Sequence, residues 1–311
     1  MRRISWALVA IALLATLVFL VLRVFTPGDP AINILGENAS EADLRAFRQR
    51  YQLDRPLSDQ YRHFVSNLAH GSLGHSYEVL HRKYPVTAVI AEQFPWTMEL
   101  ALASMFIAFL IAVPLGLISA LRQYSWVDNS ATLLAFLGVA IPNFWLGPML
   151  IVLFTIKLHW LPNPAGDVVR FTSLILPAFV LGTALSAKLM RMVRSSTLEV
   201  LDEDFVRTAR AKGASSRRVL FRHVLRNAMI PVVTVMGMQF GALLGGAIVT
   251  EKVFARPGLG TLLLHAIEKR DFNVVQGCAV TILLCYIVVN TVVDLLYAAI
   301  DPRIRVAGDG R

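Results

Sequence analysis

Ten lysines and arginines crowd one stretch of the sequence: Lys188, Arg191, Arg194, Arg207, Arg210, Lys212, Arg217, Arg218, Arg222 and Arg226. Such a stretch can be a solvated loop, can lie on anionic lipid, or can fold into something a partner grips. The residue order favours a folded element. Asp202 or Asp204 can cap a short helix running through Arg207, Ala209 and Lys212. Gly213 then stops that helix with a left-handed turn, which costs glycine little. Ser215 or Ser216 starts a second helix, with Arg218, Arg222 and Arg226 on one stripe and Leu220, Val224 and Leu225 on another. An exposed helix held at a sharp corner can be gripped by a soluble protein and can pass a push into its neighbours. The lipid-binding alternative explains the charge but not the glycine.

Other chemistry is missing from the sequence. No G-x-x-x-x-G-K-[ST] loop is present to cradle ATP phosphates, and neither H-E-x-x-H nor G-x-S-x-G occurs. The seven histidines contain no i, i+4 pair, so His70, His75 and His81 are read as surface residues and no metal site is expected. Cys278 and Cys285, the only cysteines, lie inside one apolar run, so no disulfide framework exists. Glu99, Lys157, Lys188 and Asp294 fall near the ends of apolar stretches, where snorkelling to the interface is their expected role. A chain without deep ionisable groups or a nucleotide loop must draw its energy from a partner.

The elements that carry these residues follow from composition. Hydrophobic residues make up 56% of the 311 and charged residues 16%, with a mean hydropathy of +0.58. A soluble globule needs roughly 25% charged residues to coat itself. Lipid must therefore face part of the chain. The net charge of +9 is clustered between apolar runs, as orientation signals are, and is not a nucleic-acid footprint. Six stretches reach the about 20 residues a bilayer core demands: Ser5–Phe25, Thr97–Leu121, Ala131–Ile156, Phe171–Met192, Ala228–Thr250 and Val274–Ile300. The first follows Arg2 and Arg3; its length and the lack of an A-x-A site predict a retained helix, not a signal peptide. The basic run 188–226 predicts a cytoplasmic loop, and six spans then put both termini inside.

The organisation predicted is a first span over 1–25, an extracytoplasmic segment over 26–96, a five-helix domain over 97–300 with a cytoplasmic loop at 193–227, and a cytoplasmic tail over 301–311. In the outer segment, Thr26-Pro27-Gly28-Asp29-Pro30 reads as a turn cluster. Ser40 and Asp43 predict a capped helix to about Gln52, and Ser58 a second one ended by Gly71. Pro114, Pro142, Pro148, Pro177 and Pro231 interrupt the spans, which lipid allows only where neighbours or water satisfy the freed backbone. Pro142 and Asn143, in mid-membrane, are expected to line a cavity. Gly237, Gly241 and Gly245 recur every four residues and predict a ridge for close helix packing.

Several long motifs, in order, carry a resemblance. Phe205-Val206-Arg207-Thr208-Ala209-Arg210-Ala211-Lys212-Gly213-Ala214-Ser215, with His223 through Pro231, resembles the coupling loop of the B-type membrane subunit of oligopeptide and dipeptide ATP-binding-cassette importers. Ile141 through Gly147, Trp160-Leu161-Pro162, Leu244 through Ala247 with Glu251, Pro257-Gly258-Leu259-Gly260, and Asn290 to Arg303 match as well. One departure stands: Arg207, Thr208 and Ala209 occupy the place of the superfamily's Glu-Ala-Ala, though Gly213 is kept.

The resemblance implies an all-α membrane protein with six transmembrane helices of the type I importer permease fold and a small helical extracytoplasmic segment. It implies a transport subunit of a bacterial or archaeal inner membrane, with no catalytic residues. Its partners would be a second, similar permease, two cytoplasmic ATPases that bind ATP and Mg, and a solute-binding protein outside. Phe205, Arg207 through Ala214 would form the helix facing the ATPase; Pro142, Asn143 and the three glycines would serve packing or the pathway. Peptides are the implied cargo, with nickel or glutathione as alternatives. A stand-alone secondary transporter and a membrane-embedded enzyme are the alternatives from other classes.

Overall fold

The computed structural model describes residues 2–26, 28–77, 84–163 and 171–300; the expected tail at 301–311, His81 and Pro27 lie outside them. The described residues are mostly helical, joined by turns and irregular stretches, and hold no strand beyond one isolated bridge between His75 and Pro85. Among the described residues five helices are long and apolar enough to cross a bilayer alone, and a bent pair makes six when counted as one crossing.

Residues up to Thr97 form one compact unit with Pro257–Ile287. Helix α1 (Arg2–Leu20) widens into a π-helical turn over Val21–Phe25. The turn cluster that follows is itself a helix start: α2 (Pro30–Leu35) opens with Asp29 accepting from the Ala31 amide at 2.9 Å, and Pro30 needs no partner at the first position. Asp29 also pairs with Arg48 at 2.6 Å. Helix α3 (Glu41–Arg50) carries the expected cap, Ser40 accepting from Asp43 N at 3.1 Å. Gln52, at φ +57°, turns the chain away. Helix α4 (Leu57–Ala69) starts one residue before Ser58, which therefore does not cap it; the Pro56 carbonyl takes the Asp59 and Gln60 amides instead. Gly71 at φ +73° follows its end.

Helix α5 (Val86–Leu121) begins eleven residues before the expected Thr97. Val86 and Ile90 are buried with Leu259, Ala266, Val274 and Cys278, so packing within this first unit extends the helix past Glu92 and Gln93. Between the fifth and sixth spans the chain makes two helices that hydropathy did not foresee, α12 (Ile248–Val253) and α13 (Leu259–Lys269). The last helix, α14, spans Phe272–Ile300.

The second unit comprises Met98–Arg256 with Val288 onward. The third span is broken: α6 (Trp126–Ala140) and α7 (Asn143–Leu150, continued by a π-helical stretch to Lys157) meet at 96°. Pro142 has no amide to extend α6, and its carbonyl accepts from Trp145 and Leu146 to begin α7. Pro148, Pro177 and Pro231, expected as interruptions, lie inside helices that continue through them. Helix α8 (Phe171–Leu201) runs nine residues past its expected end at Met192. The fifth span, α11 (Leu225–Gly246), stops short of the expected Thr250.

Helix α8 is the hub of this unit. Carbonyl oxygens and side chains approach glycines so closely that an added Cβ would meet them: Gly116 faces Met190 O at 2.7 Å, Gly138 faces Thr183 O at 3.0 Å, and Gly182 faces Ser104 O at 2.9 Å. These approaches join α8 to α5 and α6.

Candidate functional site

The basic stretch folds into the helix, corner and helix that its residue order suggests. Helix α9 (Asp204–Ala211) begins after Glu203, whose carbonyl accepts from the Val206 and Arg207 amides. Neither Asp202 nor Asp204 caps it through a side chain. Asp204 sits in the first turn, where a carboxylate suits the helix dipole, and lies 3.7 Å from Arg207, both well exposed. Such a pair contributes about 0–1 kcal/mol.

At the other end Gly213 takes φ +78°. Its amide donates to Arg210 O at 2.9 Å, and the Ala214 amide reaches back to Ala209 O at 3.2 Å. This six-to-one closure is a Schellman turn. A Cβ on Gly213 would meet nothing within 4 Å, so the backbone angle alone requires glycine there. The chain continues as α10 (Ser216–Arg218) and a π-helical turn over Val219–Val224 that leads into α11. Ser215 precedes α10 without making a side-chain cap.

One apolar pin holds the corner. Val206 is fully buried against Val219 and Val224, with Val200, Leu201, Ala209, Ala214 and Leu220 around them. The π-helical turn alters the expected stripe: Val219 and Val224 are buried where Leu220, Val224 and Leu225 were expected on one face. The opposite side is open. Arg207, Thr208, Arg210, Ala211, Lys212 and Gly213 are exposed, and Phe205 is 41% exposed. Beside the corner lies a shallow pocket of about 400 Å³, lined by Phe205, Thr208, Lys212 and Gly213 among others. A protein presenting a matching ridge could enter it. The site therefore offers shape, a ring and cationic donors, and no acid–base pair.

The helix that feeds this corner is clasped from the side. Asp128, 4% exposed, accepts Arg194 Nε at 2.9 Å and Nη2 at 2.8 Å, the Tyr124 amide at 3.0 Å, and the Ser119 hydroxyl. Bidentate pairs of this kind are short, directional and roughly twice as strong as neutral bonds. Arg194 had been read only as loop charge. Glu99, expected to snorkel, pairs with the buried Arg256. Lys157 and Lys188 are exposed.

The residues expected for packing or pathway are dispersed. Pro142 and Asn143 form the bend, and the exposed Phe144 and Trp145 follow them. Gly237 packs on α14, where its added Cβ would lie 1.9 Å from Val293 Cγ2. Gly241 is buried and Gly245 half-buried. The tight backbone contacts of α8 sit at Gly116, Gly138 and Gly182, which no four-residue spacing marks. Among the described residues no group of three or more His, Cys, Asp or Glu could hold a metal ion.

Helices long and apolar enough to cross a bilayer dominate the described residues, which is the build of a multi-pass membrane protein. Residues 112–306 match the family described as binding-protein-dependent transport system inner membrane component, and residues 1–101 match the N-terminal part of the same kind of membrane component. The glutathione transport system permease protein GsiC of Escherichia coli O6:H1 is 43% identical over 304 residues, covering 98% of this chain and 97% of that protein. GsiC of Pectobacterium atrosepticum is 42% identical with the same coverage. A solved inward-facing form of the MetNI methionine ABC transporter superposes with a TM-score of 0.58 at 17% identity, over 68% of this chain and 95% of that one, and so shares the fold. The chain belongs to the binding-protein-dependent transport system inner membrane component family. It is a multi-pass permease subunit of an ATP-binding-cassette importer, works with an ATPase and a solute-binding protein, and performs no hydrolysis itself.

Proposed function

We propose that this chain forms half of a translocation pathway for glutathione and other short peptides. The observation that supports the reading is identity of 43% across 98% of the chain with a glutathione permease. Glutathione is itself a modified tripeptide, so the two cargo readings of the sequence converge. A solute-binding protein delivers the cargo from outside, a second and distinct permease completes the pathway, and two ATPases grip the coupling helices of the two permeases, in this chain at Phe205 and Arg207 through Ala214. Closure of the ATPase pair favours the state in which the pathway opens outward, and hydrolysis releases it. The bend at Pro142 and Asn143 borders that pathway. The segment 26–96 lies outside, the five helices of 97–300 form the transport domain, and both termini are cytoplasmic.

Uptake of labelled glutathione, a dipeptide and nickel ion by cells lacking and regaining the chain, together with its neighbouring subunits, tests the cargo. Restored glutathione or peptide uptake is expected; restored nickel uptake alone would overturn the reading. Reporter fusions after Arg62 and Arg217 test the orientation and should report opposite sides of the membrane.

A further inference from the structure

The first helix carries no charge between Arg3 and Arg23, and its apolar run is one of the stretches able to cross a bilayer. Residues 4–22 rise about 28 Å, close to the roughly 30 Å of a hydrocarbon core. Arg23 therefore marks the polar edge at this end. Its guanidinium donates to the Tyr77 hydroxyl at 2.8 Å and lies 5.2 Å from the centre of the Phe272 ring. Thr16 and Phe19 stand about 6–10 Å below that edge along the helix. Helical side chains lean toward the N-terminus, which here carries the Phe19 ring deeper still.

Helix α4 meets α1 at this depth. The Tyr61 hydroxyl lies 2.8 Å from Thr16 Oγ1. The rings of Tyr61 and Phe64 are centred 5.2 and 5.7 Å from that of Phe19, which is 2% exposed. Leu57, Tyr61, Phe64, Val65 and Leu68 recur at i, i+4, i+7, i+8 and i+11, one apolar stripe, with Asp59, Arg62, His63 and Ser66 opposite. Contact with α1 covers only part of the stripe. None of the thirteen residues of α4 is buried; Leu57 is 47% and Val65 43% exposed, and Ala69 beside Val65 is open too. On α1, Leu17 next to Thr16 and Leu20 next to Phe19 are exposed as well. The lipid that surrounds the span thus borders the uncovered edge of α4.

We propose that α4 is an interfacial helix, with Leu57 and Val65 sunk into the leaflet that surrounds the Arg23 end of α1 and phospholipid as its partner. Helices that lie in a membrane surface bury their apolar face about 5–10 Å into the headgroup boundary, the depth at which Phe19 receives Tyr61 and Phe64. Arg62, with 84% of its side chain open, borders the stripe; its stem can follow the apolar face while its guanidinium reaches a phosphate. Asp59, 4.0 Å away, offsets that one charge. Contact with α1 sets the depth, and attraction to an anionic surface does not. This membrane contact belongs to the first unit and is independent of the cargo assigned to the transporter.

The test uses the full-length chain, purified with the subunits that accompany it, in phosphatidylcholine nanodiscs. A nitroxide is placed at Val65→Cys or, on the polar face, at Ser66→Cys. Cys278 is fully buried, and Cys285→Ala removes the other native thiol. Collisions with oxygen, which concentrates among acyl chains, are compared with collisions with a water-soluble nickel chelate. The oxygen-to-nickel ratio should be several-fold higher at residue 65 than at residue 66. Adding phosphatidylglycerol should leave it unchanged. Should Val65→Cys fail to assemble, Ala69→Cys on the same edge takes its place. Equal access of both labels to the chelate would place α4 in water and overturn the proposal. An immobile label at residue 65, shielded from both reagents, would mean that protein covers the edge and overturns it too. So would a difference between the labels that emerges only with the anionic lipid.

Discussion

The start of the last helix and the corner at Gly213 are both short polar segments attached to long apolar helices, yet they are held in opposite ways. At the start of α14, Asp271 is 2% exposed and accepts from the Ser76 hydroxyl at 2.6 Å, the Tyr77 amide at 2.7 Å and the Val274 amide at 3.3 Å. One carboxylate thus caps α14 and ties down residues almost two hundred positions earlier. Tyr77 is fully buried there, packed edge-on to Tyr51 and Phe47, and burial pushes its phenol up to about 12, so it remains a neutral donor. At the corner three valines, their apolar fringe and the Schellman turn at Gly213 hold a helix most of which is exposed. Directional buried bonds give a segment a single position. A small apolar contact is non-directional and orients a helix less tightly. The first arrangement suits a fixed rim around the start of α14; the second fixes the place of its helix more than its orientation.

The largest expected effect probes the rim. Asp271→Ala leaves the Ser76 hydroxyl and two amides buried without their acceptor, and should cost about 3 kcal/mol or more. Limited proteolysis should then cut the outer segment first while cleavage near Gly213 stays unchanged. Simultaneous loosening of both regions would erase the distinction between them.

Gly213→Val comes next. The substituted side chain meets no atom, so its cost is the backbone strain of a β-branched residue at φ +78°, on the order of 1–2 kcal/mol. Membrane insertion should survive while co-purification of the ATPase and substrate-stimulated hydrolysis fall several-fold. Gly213→Asn tolerates the left-handed angle and should restore most of both. Equal loss from valine and asparagine would assign the corner's role to something other than its backbone geometry.

The smallest effect again concerns the rim. Tyr77→Phe keeps the ring contacts but removes the acceptor for Arg23 and the donor to Asn273, about 1 kcal/mol. Hydrogen exchange at residues 74–77 should quicken by roughly five- to tenfold, with exchange in α9 unaffected.

Local features of both regions were legible in the residue order. Gly213 follows a run of helix formers directly, so its left-handed turn could be read, and the Ser40–Asp43 cap lies within one turn. The helix α13 was hidden because Pro257, Gly258 and Gly260 are residues that mark turns, while burial of Leu259 and Ala266 holds the helix in place. Helical prolines read as breaks because local rules weigh the missing amide and not the neighbouring helices that compensate it. The Asp128–Arg194 clasp joins residues 66 positions apart, and its arginine stood in a run whose charges already had a topological explanation. The close approaches at Gly116, Gly138 and Gly182 depend on which faces meet, which spacing along one helix does not encode.

The unbroken length of α8 has a further consequence. At 1.5 Å per residue its 31 residues extend about 46 Å, against a hydrocarbon core of about 30 Å. Gly182, wedged against α5, divides that rod unequally, with roughly 28 Å between it and Leu201. Met190 O against Gly116 and Arg194 held by Asp128 fasten the longer arm a second time, so a push at Leu201 is passed to α5 and α6 through those two contacts.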